Sequence, residues 1–113
     1  MSTDKNQPKL GDLESAVMVA VWKIGRASVA DVRSSLGEGR AAYTTVMTVL
    51  SRLTDKGLLR RQKNGRAFIY EATREQRSVA VSLMQGVVDR LYGGSSSRAI
   101  AHLIEADDDV DDA

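Results

Sequence analysis

Residues 41–57, from Ala41 to Gly57, constrain this chain more than any other stretch. Val46, Val49, Leu50 and Leu53 recur at spacings of three and four, which is one face of an α-helix. At about 100° per residue, the opposite face carries Thr44, Thr48, Ser51 and Asp55, flanked by Thr45 and Arg52. That second face is polar, short-chained and nearly free of acid. It suits close approach to another polar wall, and a DNA major groove is the obvious candidate. A solvated face is the plainer reading of any single helix, so the flanking sequence has to decide.

Upstream, the pattern predicts two helices. The first starts near Gly11-Asp12, with Asp12 and Glu14 placing negative charge in its first turn. Leu13, Val17, Ala20, Val21 and Ile24 form its inward stripe, Gly25 ends it, and Trp22 is expected to be a packing anchor. The second starts at Ser28, with Asp31 three residues on as a relative of the capping box. Its inward residues are Val29, Val32 and Leu36. Gly37-Glu38-Gly39 then reads as a turn, because no strand precedes it to make a nucleotide-binding loop.

Downstream, Gly57 takes the terminating position of the central helix and the period changes. Leu58 to Lys63 and Arg66 to Ala72 read as strands around an Asn64-Gly65 turn, a strong hairpin signal. Arg60, Arg61, Lys63 and Arg66 make this hairpin basic. Thr73-x-x-Gln76 resembles a capping box opening a fourth helix. Val79, Leu83, Val87 and Leu91 form one apolar row on it, and Ala80, Met84 and Val88 a second row alongside. After Gly93-Gly94, the run Ser95-Ser96-Ser97 starts a fifth helix with Ile100, Leu103 and Ile104 on its inward face. Residues 74–104 are thus expected to be a helical pair whose apolar surface requires a second subunit, the alternative being that it folds back on its own domain.

Charge divides the chain. Six of the fifteen acids lie in the last nine residues, so residues 1–104 hold 16 basic against 9 acidic groups, a net of +7. A basic middle points to a polyanionic partner, and the segment 105–113 reads as an acidic disordered tail. Residues 1–9 are polar and read as disordered, with no apolar core for a signal peptide. No apolar run reaches membrane-spanning length, so the expected location is the cytoplasm, with no membrane partner. With no cysteine, thiolate metal sites, disulfides and cysteine catalysis are excluded. The one histidine, His102, has no evident partner, so neither catalytic residues nor a metal or cofactor site is expected.

Helix, helix, polar-faced helix, basic hairpin is the order of a winged helix-turn-helix. The fold class expected is mainly α with a small β-hairpin, residues 10–73 forming the winged-helix domain and 74–104 the dimerisation region. The expected DNA-contacting residues are Arg40, Tyr43, Thr44, Thr45, Thr48, Arg52 and Lys56 on and around the central helix, and Arg61, Lys63, Asn64 and Arg66 on the wing. The expected dimer contacts are Val79, Leu83, Met84, Val87, Val88, Leu91, Ile100, Leu103 and Ile104. The alternative is a winged-helix module that binds protein. That reading calls for an acidic or apolar face on the central helix, and the sequence shows neither.

Two segments also carry a resemblance. Leu10-Gly11-Asp12-Leu13-Glu14-x-x-Val17-Met18-x-x-x-Trp22 resembles the first helix of the penicillinase-repressor (BlaI/MecI/CopY) family of bacterial regulators. Residues 42–57, followed by Asn64-Gly65-Arg66 and Tyr70, resemble that family's recognition helix and wing. The resemblance implies a winged-helix homodimer that joins through its C-terminal helices and represses transcription from a palindromic operator. It also implies a release signal from an upstream sensor or protease. The chain departs from the copper-responsive pattern, which needs a cysteine cluster. It departs from the cleavage-responsive pattern in its short C-terminal region around Gly93-Gly94.

Overall fold

The computed structural model describes residues 10–112, and the expectation of disorder for residues 1–9 lies outside them. The elements are α1 (Asp12–Ile24), α2 (Val29–Leu36), α3 (Tyr43–Asp55), β1 (Leu59–Asn64), β2 (Ala67–Ala72), α4 (Gln76–Leu91) and α5 (Ser96–Asp112). They fall into two compact units, residues 10–79 and residues 80–112.

In the first unit, α1, α2 and α3 pack on one another, and α1 and α3 pack on the hairpin. The α3 stripe of Val46, Val49, Leu50 and Leu53 is buried, as its periodicity predicts. Val17, Ala20 and Val21 of α1 are buried as well. Two α1 residues depart from the predicted stripe: Ile24 is exposed and Met18 is fully buried. Trp22 is the expected anchor, half-buried, with its indole Nε1 donating to the carbonyl of Arg74 at 2.9 Å.

Local chemistry sets the helix ends. At α2, the Ser28 hydroxyl accepts from the Asp31 N–H at 3.1 Å, and the Asp31 carboxylate accepts from the Ser28 N–H at 3.0 Å. Two otherwise unpaired donors are satisfied reciprocally, so aspartate completes the box that glutamate usually does. At the end of α3, the Leu58 N–H reaches the Leu53 carbonyl and the Gly57 N–H reaches that of Thr54, both at 3.0 Å. This pair of bonds is a Schellman motif, and it needs the positive φ of +81° that Gly57 adopts. Leu53 and Leu58, the two residues it brings together, are both buried.

The hairpin pairs Leu59 with Ala72 through Asn64 with Ala67. Its two-residue loop is therefore Gly65-Arg66, one position later than the expected Asn64-Gly65. Only Gly65 has positive φ, the pattern of a turn with glycine at its first central position. Ala27 adds a bridge that the sequence did not reveal: its N–H and C=O both pair with Tyr70, at 2.9 and 2.8 Å. This locks the α1–α2 connection to the wing, and Tyr70 is buried beneath it.

The expected capping box at Thr73 does not form. Thr73 instead ties back to the end of α3, its hydroxyl donating to the Gly57 carbonyl at 2.6 Å and its N–H to that of Leu58 at 3.1 Å. The Glu75 carbonyl accepts the first α4 bond, from Val79 N–H at 3.2 Å, which places Glu75 at the N-cap.

In the second unit, α5 starts after Ser95, whose hydroxyl accepts from the Arg98 N–H at 3.4 Å. The helix continues to Asp112, through the stretch read as a disordered tail. Tyr92 and His102 meet within this unit, hydroxyl to ring Nδ1 at 3.0 Å, so His102 does have a partner. Among the described residues, no helix is long and apolar enough to cross a membrane.

Candidate nucleic-acid interface

The helical period determines what α3 shows to solvent. With Val46, Val49, Leu50 and Leu53 inward, the side chains of Thr44, Thr45, Thr48, Arg52 and Asp55 are exposed and Ser51 is half-buried. Tyr43 stands exposed at the N-terminal end, after Arg40 in the α2–α3 connection. Ala42 provides no side-chain cap there, so the first N–H groups of α3 retain capacity for an anion.

The wing adds its own face. Side chains alternate along a strand, and the register places Arg61 opposite Tyr70 and Lys63 opposite Phe68, all four on one side. On that side Arg61, Phe68 and Tyr70 join Met47, Thr48, Ser51, Arg52 and Asp55 around a cleft of about 470 Å³. The Arg61 guanidinium lies 4.4 Å from the Phe68 ring centroid, a cation–π contact that restrains it beside α3. The other side of the wing carries Arg60, whose Nε donates to Glu71 at 3.0 Å. Lys63, Asn64 and Arg66 are exposed at the tip.

The N-terminal end of α1 walls the far side of α3. There Gly11, Asp12, Leu13 and Glu14 share a second cleft with Thr44, Thr45, Thr48, Val49 and Arg52. Lys56 is held on this side, its ammonium 2.8 Å from the Glu14 carboxylate. Its side chain is still 35% exposed while its charge ties α1 to α3. Burial raises the Glu14 carboxyl, but it is outweighed. Hydrogen bonds from Lys56 and from the Gly11 N–H, with the charges of Lys56 and Arg52, hold it below its ordinary value.

The expected residues thus divide by place. Thr44, Thr48, Arg52 and Arg61 border clefts on the exposed side of α3, with the wing tip beyond them and Lys56 exposed but ion-paired with Glu14. Ser51 and Asp55 line the cleft as the polar face of α3 predicts, whereas Met47 and Phe68 were not expected at this surface. Met47 could have been placed from its angle, about 100° from the buried direction; its apolar character alone assigns it to the core. Among the described residues, no group of acidic or histidine side chains could hold a metal.

The expected dimer residues divide too. Val79 is 1% exposed and belongs to the core of the first unit, so that expectation is corrected. Val88 is also buried within the chain and Leu83 half-buried. Met84, Val87, Leu91, Ile100, Leu103 and Ile104, with Val81, are 43–76% exposed.

The model of the penicillinase repressor family matches residues 10–113. The chain belongs to that family. A transcriptional regulator BlaI of Mycobacterium tuberculosis is 36% identical over 100 residues, covering 86% of this chain and 72% of its own. The penicillinase repressor of Bacillus licheniformis is 27% identical over 104 residues, covering 91% and 81%. These family members are regulators, not enzymes. The solution structure of the DNA-binding domain of the repressor BlaI aligns with a TM-score of 0.55 at 31% identity, over 61% of this chain and 85% of that one. The Bacillus licheniformis BlaI monomer, solved with the blaP half-operator, aligns at 0.52 and 31%, over the same shares. The fold of this chain is a winged helix, with the hairpin that follows α3 as its wing.

Proposed function

We propose that this penicillinase repressor family member is a sequence-specific transcriptional repressor, acting as a homodimer on a palindromic operator in the bacterial cytoplasm. The α3 helix lies in the major groove with Thr44, Thr45 and Thr48 at base edges. Arg40, Arg52 and the uncapped N-terminus of α3 meet phosphates, and Lys63, Asn64 and Arg66 meet the backbone or the neighbouring minor groove. Arg61, which lines the cleft between the two elements, joins them at the backbone or minor groove. The observation that carries this reading is the shared cleft: the exposed side of α3 and the basic side of the wing border one surface of one compact unit. The half-operator complex of its BlaI relative supports the same partner. The exposed apolar side chains of residues 81–104 supply the surface for the second copy.

Selection from a random duplex pool, followed by footprinting on the promoter beside the chain's own coding region, tests the proposal. The expected result is a protected palindrome with half-sites about one helical turn, or a multiple of it, apart. Uniform binding of all duplexes in the roughly 10⁻⁴–10⁻⁶ M range of non-specific association would refute it.

A further inference from the structure

We infer that Met47 and Thr48 together read one adenine–thymine pair, Met47 packing on the thymine methyl and Thr48 accepting from the adenine amine. The inference rests on the DNA-binding reading above and names the base pair that the middle of α3 selects.

Two observations carry it. Met47 is 44% exposed, an apolar side chain standing among Thr44, Thr48, Ser51 and Arg52 on the outer side of α3. It stands three residues after Thr44, one before Thr48 and four before Ser51, and it borders the cleft facing the wing. The fold does not require it to be apolar, since the core face of α3 is complete without it.

The second observation concerns Thr48. Its hydroxyl donates to the Thr44 carbonyl at 2.9 Å, one turn back along α3. A hydroxyl has one hydrogen, so Thr48 has only lone pairs left for a ligand. The middle of α3 therefore presents an apolar group beside an acceptor.

The major-groove edges of the base pairs answer that pattern unequally. Guanine offers acceptors, which the Thr48 lone pairs cannot satisfy. Cytosine offers an amine but no methyl. An adenine–thymine pair offers an amine donor and a methyl on the same edge. The methyl is what separates it from guanine–cytosine, whose cytosine amine could also meet Thr48, and only adenine–thymine satisfies both groups at once.

The test uses the full chain and the duplex it selects from a random pool, with each thymine replaced in turn by deoxyuridine. That change removes the methyl and nothing else. The expected result is a loss of about fourfold at one thymine per half-site, the effect of one buried methyl-sized group. Met47→Ala should bind the thymine and deoxyuridine duplexes alike, and Met47→Leu should restore the discrimination. At the partner adenine, a purine lacking the 6-amine should weaken the wild-type chain but not Thr48→Val. If the wild-type chain binds its selected duplex yet tolerates every deoxyuridine, the inference is overturned and the DNA-binding reading stands. A Met47→Ala variant that still shows the full deoxyuridine loss overturns it in the same way. If no duplex is selected, the underlying reading fails and this inference falls with it.

Discussion

Replacing Leu103 by Ala tests the proposed dimer through a single side chain. Leu103 lies on α5 and is 62% exposed in the isolated chain. The change removes three carbon atoms, which full burial would make worth about 2.4 kcal/mol at ~0.8 kcal/mol per methylene. Scaled by the exposed fraction, a partner subunit covering this site gains about 1.5 kcal/mol from it. Two-fold symmetry places the change in both copies, for about 3 kcal/mol in all, or roughly 150-fold in the dimer dissociation constant. Alanine is the stronger helix former, so α5 is not weakened by the substitution itself. Sedimentation across a dilution series reads the constant directly, with far-UV circular dichroism reporting that the helices persist. Arg66→Ala, on the wing tip, serves as the control that should leave the constant unchanged. A wild-type chain that stays monomeric throughout, or a variant that dimerises as well as wild type, would refute the reasoning.

On DNA, Arg66→Ala should weaken binding about equally for all sequences and reduce the salt slope by about one per subunit. A loss confined to one operator position would show instead that Arg66 meets a base. Thr48→Ala should change the preferred base at one position, at about 1–3 kcal/mol of discrimination, and an unchanged selection profile would remove Thr48 from the readout. The Glu14 carboxylate should stabilise the fold above its ordinary unfolded-state value and lose that contribution as pH falls through its lower folded value. The stability gap between wild type and Glu14→Gln, on the order of 0.5 kcal/mol near neutral pH for so small an ion-pair effect, should therefore close under acid. A gap that grows on acidification would contradict the Lys56 pairing.

Much of the fold follows from short-range rules, and those parts were legible in the chain. The α3 stripe reads correctly because a 3.6-residue period leaves no other arrangement for Val46, Val49, Leu50 and Leu53. Ser28 and Asp31 cap α2 because their hydrogen bonds span three residues. Gly57 ends α3 because the Schellman turn needs a positive φ. The basic wing is visible in Arg60, Arg61, Lys63 and Arg66. Even there local rules have a margin, since turn chemistry allowed both Asn64-Gly65 and Gly65-Arg66, and strand pairing chose the second.

What the linear chain could not decide are competitions between partners far apart in it. Thr73 is as good a helix cap as Ser28 by sequence, but folding brings it to the Gly57 carbonyl, which wins its hydroxyl. Lys56 reads as one more surface cation, and only folding shows that α1 delivers Glu14, 42 residues away, to within 2.8 Å of it. Val79 and Leu103 belong to similar apolar rows; tertiary packing buries the first and leaves the second exposed. The sequence by itself determined the elements, their order and the two faces of α3, because those depend on period, caps and turns within a few residues. Only the tertiary structure decided which polar groups are already satisfied and which apolar groups remain uncovered, because each hydrogen bond and each contact surface can be used only once.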